Sequence, residues 1–200
     1  RRESAGFSNS PTKQSKSSKA QHSAVDHTIK EREAVALINQ GRVDEAETIY
    51  KELITTETKN HIVYGNLAAI CGMKGRFDEV IKLLRQALEL KPNYPEAHNN
   101  LGTALREQGD LDAAIASYKT ALQLKPNYLE AHINLGNALR EEGDLDAAIA
   151  CFNSVLQLKP NFLDAHINLG NALKHQGDLD AAIVSYKKAL QLKPNYTEAH

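Results

Sequence analysis

Apolar residues recur every three or four positions within one stretch of the chain, Pro95–Tyr128. Leu101 and Leu105 belong to one such series, and Ile115 and Tyr118 belong to a second. Spacing of this kind places apolar side chains on one face of an α-helix. The stretch therefore predicts two amphipathic helices, helix A at about positions 1–14 of the stretch and helix B at about positions 18–31.

The same pattern recurs along the chain with a period of 34 residues. Landmark prolines and glycines repeat at this interval: Pro92, Pro126, Pro160 and Pro194, and Gly41, Gly75, Gly109, Gly143 and Gly177. The units are 27–60, 61–94, 95–128, 129–162 and 163–196, and a further unit starts at 197–200. A fixed period of this length is typical of a solenoid of helix pairs, in which each repeat packs on its neighbours.

The joints between the predicted helices have a physical cause. Gly109 stands where helix A must end, and glycine adopts the left-handed conformation there without steric penalty. Asp110 follows and is expected to cap helix B. Helix B ends near Lys125 and Pro126, because proline has no amide donor and cannot continue the helix.

Two positions of the repeat carry small residues, which predicts close packing of helices A and B. Position 8 is Ala34, Ala68, Gly102, Gly136 and Gly170, and position 20 is Ala46, Val80, Ala114, Ala148 and Ala182. Position 24 is large: Tyr50, Leu84, Tyr118, Phe152 and Tyr186. We expect the side chain at position 24 to wedge between successive units.

These residues, together with Ala at position 27 and Pro at position 32, resemble the tetratricopeptide repeat pattern from about residue 24 to residue 200. The resemblance implies an all-α fold: a right-handed superhelical solenoid of antiparallel helix pairs with about five repeats. The first unit departs from the pattern at Lys30, Glu33 and Thr58. Polar residues at these positions suit an N-terminal cap with one face toward water.

Residues 1–23 form a basic, Ser/Lys-rich run in which Phe7 is the only large apolar residue. Such a run buries too little surface to offset the entropy lost on ordering, so we expect a disordered leader before a solenoid at 24–200. The alternative for this leader is a basic tail that contacts nucleic acid or a membrane.

Composition narrows the function. The net charge of −1 gives no electrostatic footprint for nucleic acid, and no apolar run is long enough to span a membrane. Cys71 and Cys151 form no CxxC motif and are interpreted as apolar fillers in a reducing compartment, the cytoplasm. The expected partner is a protein or peptide, with no nucleic acid and no membrane; the oligomeric state is left open.

No catalytic, cofactor or metal site is predicted. The sequence has no GxSxG, HExxH or P-loop motif, so we expect no enzymatic activity from these residues. The ladder of His98, His132 and His166 recurs once per repeat, about 20 Å apart if two helix diameters separate the repeats. Zinc ligands converge on one ion, so the ladder is interpreted as packing between helices rather than metal binding.

In the tetratricopeptide family, positions 2, 5, 6, 9, 12 and 13 of helix A face the inside of the superhelix. Here position 6 is Asn66, Asn100, Asn134 and Asn168, position 9 includes Asn137 and Asn171, and position 12 includes Arg106, Arg140 and Lys174. Positions 6, 9 and 12 share one helical face, and an asparagine amide both donates and accepts hydrogen bonds. The row resembles the asparagine ladder in the repeat region of O-linked N-acetylglucosamine transferase, which implies binding of an extended peptide backbone.

The sequence therefore predicts a protein-interaction scaffold that binds an extended peptide in its concave groove. Two alternatives stay open: a solvated polar face copied by repeat duplication, and a substrate-recruiting arm of a larger group-transfer enzyme, for example a glycosyltransferase, with its catalytic domain beyond His200. Four hydrogen bonds of about 1 kcal/mol each give only about millimolar affinity. Side-chain pockets, or avidity over more repeats, are thus expected to supply the rest, with Ile133, Ile167 and His175 as candidates for the pockets.

Overall fold

The computed structural model describes the backbone of residues 13–193 and the side chains of residues 26–193. This part of the chain contains ten α-helices and no strand. The helices are α1 (Lys13–Asn39), α2 (Val43–Thr55), α3 (His61–Met73), α4 (Phe77–Leu90), α5 (Pro95–Glu107), α6 (Leu111–Leu124), α7 (Leu129–Glu142), α8 (Leu145–Leu158), α9 (Leu163–Gln176) and α10 (Leu179–Leu192). The predicted all-α fold is confirmed, whereas Pro194 and His200 lie outside the described residues.

The helices form two compact units, one ending at Lys59 and the other beginning at Asn60. In the first unit α1 packs against α2, and the buried contact includes Ala34, Ala46 and Tyr50. Helix α1 begins at Lys13, so residues 13–23 are helical, not disordered as the sequence suggested. The run contains Lys, Gln and Ala, which favour helix, and no Gly or Pro. The rest of the predicted leader, residues 1–12, lies outside the described residues.

In the second unit α3 to α10 form four consecutive helix pairs. Each of these helices packs against the next in sequence, and α5 also contacts α7, as α7 contacts α9. The odd-numbered helices α3, α5, α7 and α9 are therefore the A helices, and the even-numbered ones are the B helices. The helices predicted near 95–108 and 112–125 are α5 and α6, so the boundaries agree within about a residue.

The predicted joints are confirmed. Asp110 Oδ1 accepts a hydrogen bond of 3.2 Å from the Ala113 amide, and the corresponding aspartates at the starts of α8 and α10 make the same cap. Gly109 has φ +83°, the left-handed conformation that glycine tolerates. At the other end of the B helix, Lys125 Nζ lies 4.4 Å from the ring centre of Tyr128 and 3.0 Å from Glu96 Oε1.

A contact between glycine and an aromatic ring joins helices A and B in the last three complete repeats. A Cβ atom at Gly102 would lie 2.7 Å from Cε1 of Tyr118, and one at Gly136 would lie 2.6 Å from Cε1 of Phe152. Tyr118 and Phe152 are completely buried. The ring thus packs on the glycine of its own repeat, a contact that the expectation of a wedge between successive units did not include.

The histidines at position 4 hold the joints. Nε2 of each donates to a proline carbonyl oxygen six residues earlier, at 3.0 Å for His98 and Pro92, 2.9 Å for His132 and Pro126, and 2.9 Å for His166 and Pro160. Each histidine therefore ties the end of one repeat to the helix that begins the next. The expected 20 Å between successive A helices is wrong, because α5 and α7 are in contact; adjacent helix axes lie about 8–10 Å apart.

The glycine–ring contact gives a first prediction. Gly136→Ala is expected to lower the free energy of unfolding by about 1–3 kcal/mol, because the new methyl group overlaps the Phe152 ring. Gly136→Ala together with Phe152→Leu recreates the Ala68–Leu84 pair of an earlier repeat. Gly136→Ala should therefore lower the free energy of unfolding by less when residue 152 is Leu. Urea unfolding of the four chains in this double-mutant cycle measures the coupling. An equal loss of stability from Gly136→Ala with Phe152 and with Leu at position 152 would contradict the role assigned to the glycine–ring contact.

Candidate functional site

The nine predicted site residues all lie on A helices of the second unit, and we call the surface they form the ladder face. It consists of Asn66 on α3, Asn100 and Arg106 on α5, Asn134, Asn137 and Arg140 on α7, and Asn168, Asn171 and Lys174 on α9. Asn100 and Lys174 are exposed, and the other seven are half-buried. Because α5 contacts α7 and α7 contacts α9, the polar rows of these three helices lie side by side.

Asn99 occupies position 5 of helix A, one of the positions expected on the open face, and it is completely buried. Its Oδ1 accepts a hydrogen bond of 3.0 Å from Nδ2 of Asn134, and its Nδ2 donates to Oε1 of Glu130 at 3.2 Å. Nδ2 also lies 3.4 Å from Oδ1 of Asn100. A buried amide is stable only when its polar atoms are paired, and here the next repeat supplies the partners. One ladder residue, Asn134, is thus oriented by a bond between repeats.

The residue at position 9 is oriented by the ring at position 24 in two repeats. The Tyr118 hydroxyl donates to Thr103 Oγ1 at 3.2 Å, and the Tyr186 hydroxyl donates to Asn171 Oδ1 at 2.7 Å. The repeat between them has Phe152 at position 24, which has no hydroxyl to donate. Accordingly, Asn137 Oδ1 is buried without a hydrogen-bond partner among the described residues.

A second unpaired polar atom lies one turn along the same helix. Nε of Arg140 is also buried without a partner among the described residues. Residues three apart share a helical face, so Asn137 and Arg140 together offer an unused acceptor and an unused donor on the ladder face. The two atoms are shielded in these rotamers, and rotation of the side chains toward the open face is needed to expose them.

Two carboxylates next to the ladder face, Glu96 and Glu130, are engaged within the protein. Glu96 is bound by Lys125, and Glu130 accepts hydrogen bonds from Asn99 and, at 3.5 Å, from the Tyr128 hydroxyl. Burial, together with the nearby Glu130 carboxylate, raises the pKa of Tyr128 to about 12, so the phenol stays neutral. Among the cations at position 12, Arg106 is paired with Glu107, whereas Glu130 keeps its negative charge because both of its donors are neutral.

The three residues expected to supply side-chain pockets lie in different environments, and Ile133 on α7 is half-buried. Ile167 is buried in the core between α9 and α10, where it packs with Ala189, and His175 is exposed. An apolar pocket of about 250 Å³ lies instead beside Asn100, between α3, α4 and α5. In the sequence, Leu84 indicates this pocket, because it replaces the aromatic residue found at position 24 of the other repeats.

Two further searches covered the described residues. No three His, Cys, Asp or Glu side chains among residues 26–193 come together as metal ligands would. No helix within the described part of the chain has the length and apolar character needed to cross a membrane.

Sequence comparison matches most of the chain to one family. A family model described as "TPR repeat" matches residues 73–105, 102–139 and 136–177. Two models described as "Tetratricopeptide repeat" match residues 163–196 and 32–52. No curated protein sequence matches the chain.

Solved structures share the fold. A crystal structure of MamA protein has 26% identity and a TM-score of 0.77, with 84% of this chain and 92% of that chain covered. MamA from Desulfovibrio magneticus RS-1 has 18% identity and a TM-score of 0.79, with 86% and 97% covered. YrrB, described as "a TPR protein with an unusual peptide-binding site", has 22% identity and a TM-score of 0.75, with 85% and 88% covered.

The two adjacent asparagines of α5 give a second prediction. Asn99→Ala is expected to lower the free energy of unfolding by about 1–3 kcal/mol, because it removes buried hydrogen bonds to Asn134 and Glu130. Asn100→Ala is the matched control, since Asn100 is exposed, and its effect should stay within about 0.5 kcal/mol. Urea unfolding measures both, and equal stabilities would contradict the role assigned to Asn99.

Proposed function

The chain belongs to the tetratricopeptide repeat family, and we propose that it is a protein-interaction scaffold that binds an extended segment of a partner protein along its ladder face. The partner is a protein or peptide, and the ladder contacts its backbone. We assign the scaffold to the cytoplasm, as expected for a chain whose Cys71 and Cys151 form no disulfide bond.

One observation carries the proposal: within the described part of the chain, Asn137 Oδ1 and Arg140 Nε on the ladder face have no hydrogen-bond partner. A buried polar atom without a partner costs about 1–3 kcal/mol, so the two side chains gain by rotating toward the open face, where a ligand can pair with them. A peptide backbone offers the two groups required, an N–H donor for the amide oxygen and a carbonyl acceptor for the guanidinium. Asn171, by contrast, already accepts from Tyr186.

The spacing of the helices supports an extended ligand. Adjacent A helices in contact lie about 8–10 Å apart, and an extended chain advances about 3.3 Å per residue. About three peptide residues therefore span one repeat. A side chain from each A helix can meet an equivalent backbone group at this interval, which favours recognition of the main chain over particular side chains.

The comparisons add support at the level of the fold. YrrB, which shares the fold, is described as having a peptide-binding site. No described contact favours a substrate-recruiting arm of a group-transfer enzyme over a scaffold, and that alternative stays a prediction, as does the resemblance to the asparagine ladder of O-linked N-acetylglucosamine transferase.

The proposal predicts that Asn137→Ala with Asn168→Ala weakens peptide binding about thirtyfold, from the loss of two hydrogen bonds of about 1 kcal/mol each. Peptides selected from a displayed library of random 12-residue sequences serve as probes, and fluorescence polarisation gives the Kd. Asn134 is unsuited to this test, because its amide also supports the buried Asn99. Unchanged affinity for every selected peptide would contradict the proposal.

Phe152→Tyr is a matched variant that leaves Asn137 in place. Its hydroxyl should reach Asn137 Oδ1 as that of Tyr186 reaches Asn171, which raises the free energy of unfolding by about 1 kcal/mol. The occupied oxygen is then unavailable to a ligand, so this variant should be more stable than the natural chain and should bind the same peptides several-fold more weakly. Higher stability with unchanged affinity would remove Asn137 from the site.

A further inference from the structure

The buried side chain of Asn99 on α5 is held between two residues that lie one turn apart on α7. Its Nδ2 donates to Oε1 of Glu130 at 3.2 Å, and its Oδ1 accepts from Nδ2 of Asn134 at 3.0 Å. Residues four apart share one face of a helix, so Glu130 and Asn134 can reach the same partner. The three residues form a chain of two hydrogen bonds, Glu130–Asn99–Asn134, which we call the relay.

The carboxylate at the start of the relay fixes the orientation of both amides. The Glu130 carboxylate has no hydrogen to donate, so Asn99 must turn its nitrogen toward Glu130 and its oxygen toward Asn134. Asn134 must in turn direct its nitrogen toward that oxygen. If the Asn134 amide were reversed, two oxygens would face each other, and the oxygen of the completely buried Asn99 would lose its partner. The relay therefore disfavours the reversed orientation.

The relay determines which atom of Asn134 a ligand meets. The nitrogen is committed to Asn99, whereas Oδ1 has no hydrogen-bond partner within residues 26–193. This oxygen is not among the buried polar atoms that lack a partner, so it reaches solvent on the ladder face. Asn134 thus offers a ligand an acceptor with both lone pairs unused.

The same position in the next repeat is not held in this way. Asn168 corresponds to Asn134, but position 5 of the repeat before it is Ile133, whose side chain has no polar atom. A hydrocarbon side chain cannot fix the orientation of an amide. Asn168 can therefore turn either its oxygen or its nitrogen toward a ligand.

We propose that Asn99 is a positioning residue that fixes Asn134 as a hydrogen-bond acceptor, and that the partner must therefore present a backbone N–H group to α7. Proline has no such hydrogen, so the partner segment carries no proline at the residue that meets Asn134. The proposal rests on the proposed function, because the ladder face must hold the backbone. It makes one position of an otherwise adaptable ladder selective for a donor.

The test removes single N–H groups from a bound peptide. The probes are 12-residue peptides selected on the full chain from a displayed random library, and each is synthesised with one backbone amide at a time replaced by an ester. A second series carries single N-methyl groups, which remove the same hydrogen and leave the carbonyl intact. Fluorescence polarisation gives the Kd of every peptide. At the position that meets Asn134, both changes should weaken binding at least about fivefold, the loss of one hydrogen bond.

Asn99→Leu assigns the sensitive position of the peptide to Asn134. Leucine has a similar size and no polar atom, so the Asn134 amide can then reverse and place its nitrogen beside the ester oxygen. The ratio of the Kd of the ester to that of the amide should fall at least about twofold. A purely structural role of Asn99 would change the affinity of all peptides together and leave this ratio unchanged. Circular dichroism and thermal unfolding establish that the variant is folded.

Ile133→Asn with Asp164→Glu is a second variant, which installs the relay one repeat later. The new residues take the positions relative to Asn168 that Asn99 and Glu130 take relative to Asn134. Adjacent A helices lie about three extended residues apart, so the ester-to-amide ratio should rise about three residues from the first sensitive position. This variant decides the proposal if Asn99→Leu does not fold.

The outcomes separate the relay from the proposed function. If Asn137→Ala with Asn168→Ala weakens binding but no loss of a single N–H group does so, the relay proposal is overturned and the ladder stands. The same conclusion follows if a folded variant leaves the ester-to-amide ratio unchanged. If the two asparagine substitutions leave the affinity of every peptide unchanged, the ladder fails, and the relay proposal fails with it.

Discussion

The contact between the glycine at position 8 and the ring at position 24 is the constraint on which much of the second unit depends. It brings helices A and B so close that a single methyl group on Gly136 would overlap Phe152. The same ring also reaches across to position 9, where its hydroxyl, if present, determines whether the side chain there is already paired. Packing and the chemistry of the ladder face are therefore not independent. A change at position 24 alters both, and the natural variation among Leu84, Tyr118 and Phe152 has done so.

Local features of the fold could be predicted from the sequence because short-range interactions decide them. The left-handed turn at Gly109 and the cap by Asp110 involve only a few neighbouring residues. The same residue types recur in several repeats, which makes the assignment clear from the sequence. Asn99 could not be assigned in this way. It shares its position with isoleucines in later repeats, and its burial depends on Asn134 and Glu130, which lie more than thirty residues farther along the chain.

The sequence predicted which helix face carries the candidate site, but not which polar atoms on that face are already hydrogen-bonded within the protein. The helical period places positions 6, 9 and 12 on one side, yet it does not distinguish Asn137 from Asn171, whose environments differ by one hydroxyl group on a neighbouring helix. The pocket likewise depends on volume that several side chains leave unfilled together, and no single residue of Leu84, Gly72 and Ala69 would produce it. In a repeat family with one shared fold, such departures from the pattern distinguish one array from another.

The histidine contacts have a consequence for how such an array can change its length. Each joint is closed by a bond between residues six positions apart, such as His132 and the Pro126 carbonyl, so a repeat gained or lost by unequal recombination carries a complete joint with it. The bond from Asn134 to Asn99 joins two repeats, yet it does not require these two particular neighbours. Position 6 is Asn and position 2 is Asp or Glu in each of the repeats 95–128, 129–162 and 163–196, so an inserted copy of any of them would offer Asn99 the same kinds of partner. Recombination within this part of the array is thus expected to preserve both the joints and the pairing of the buried amide.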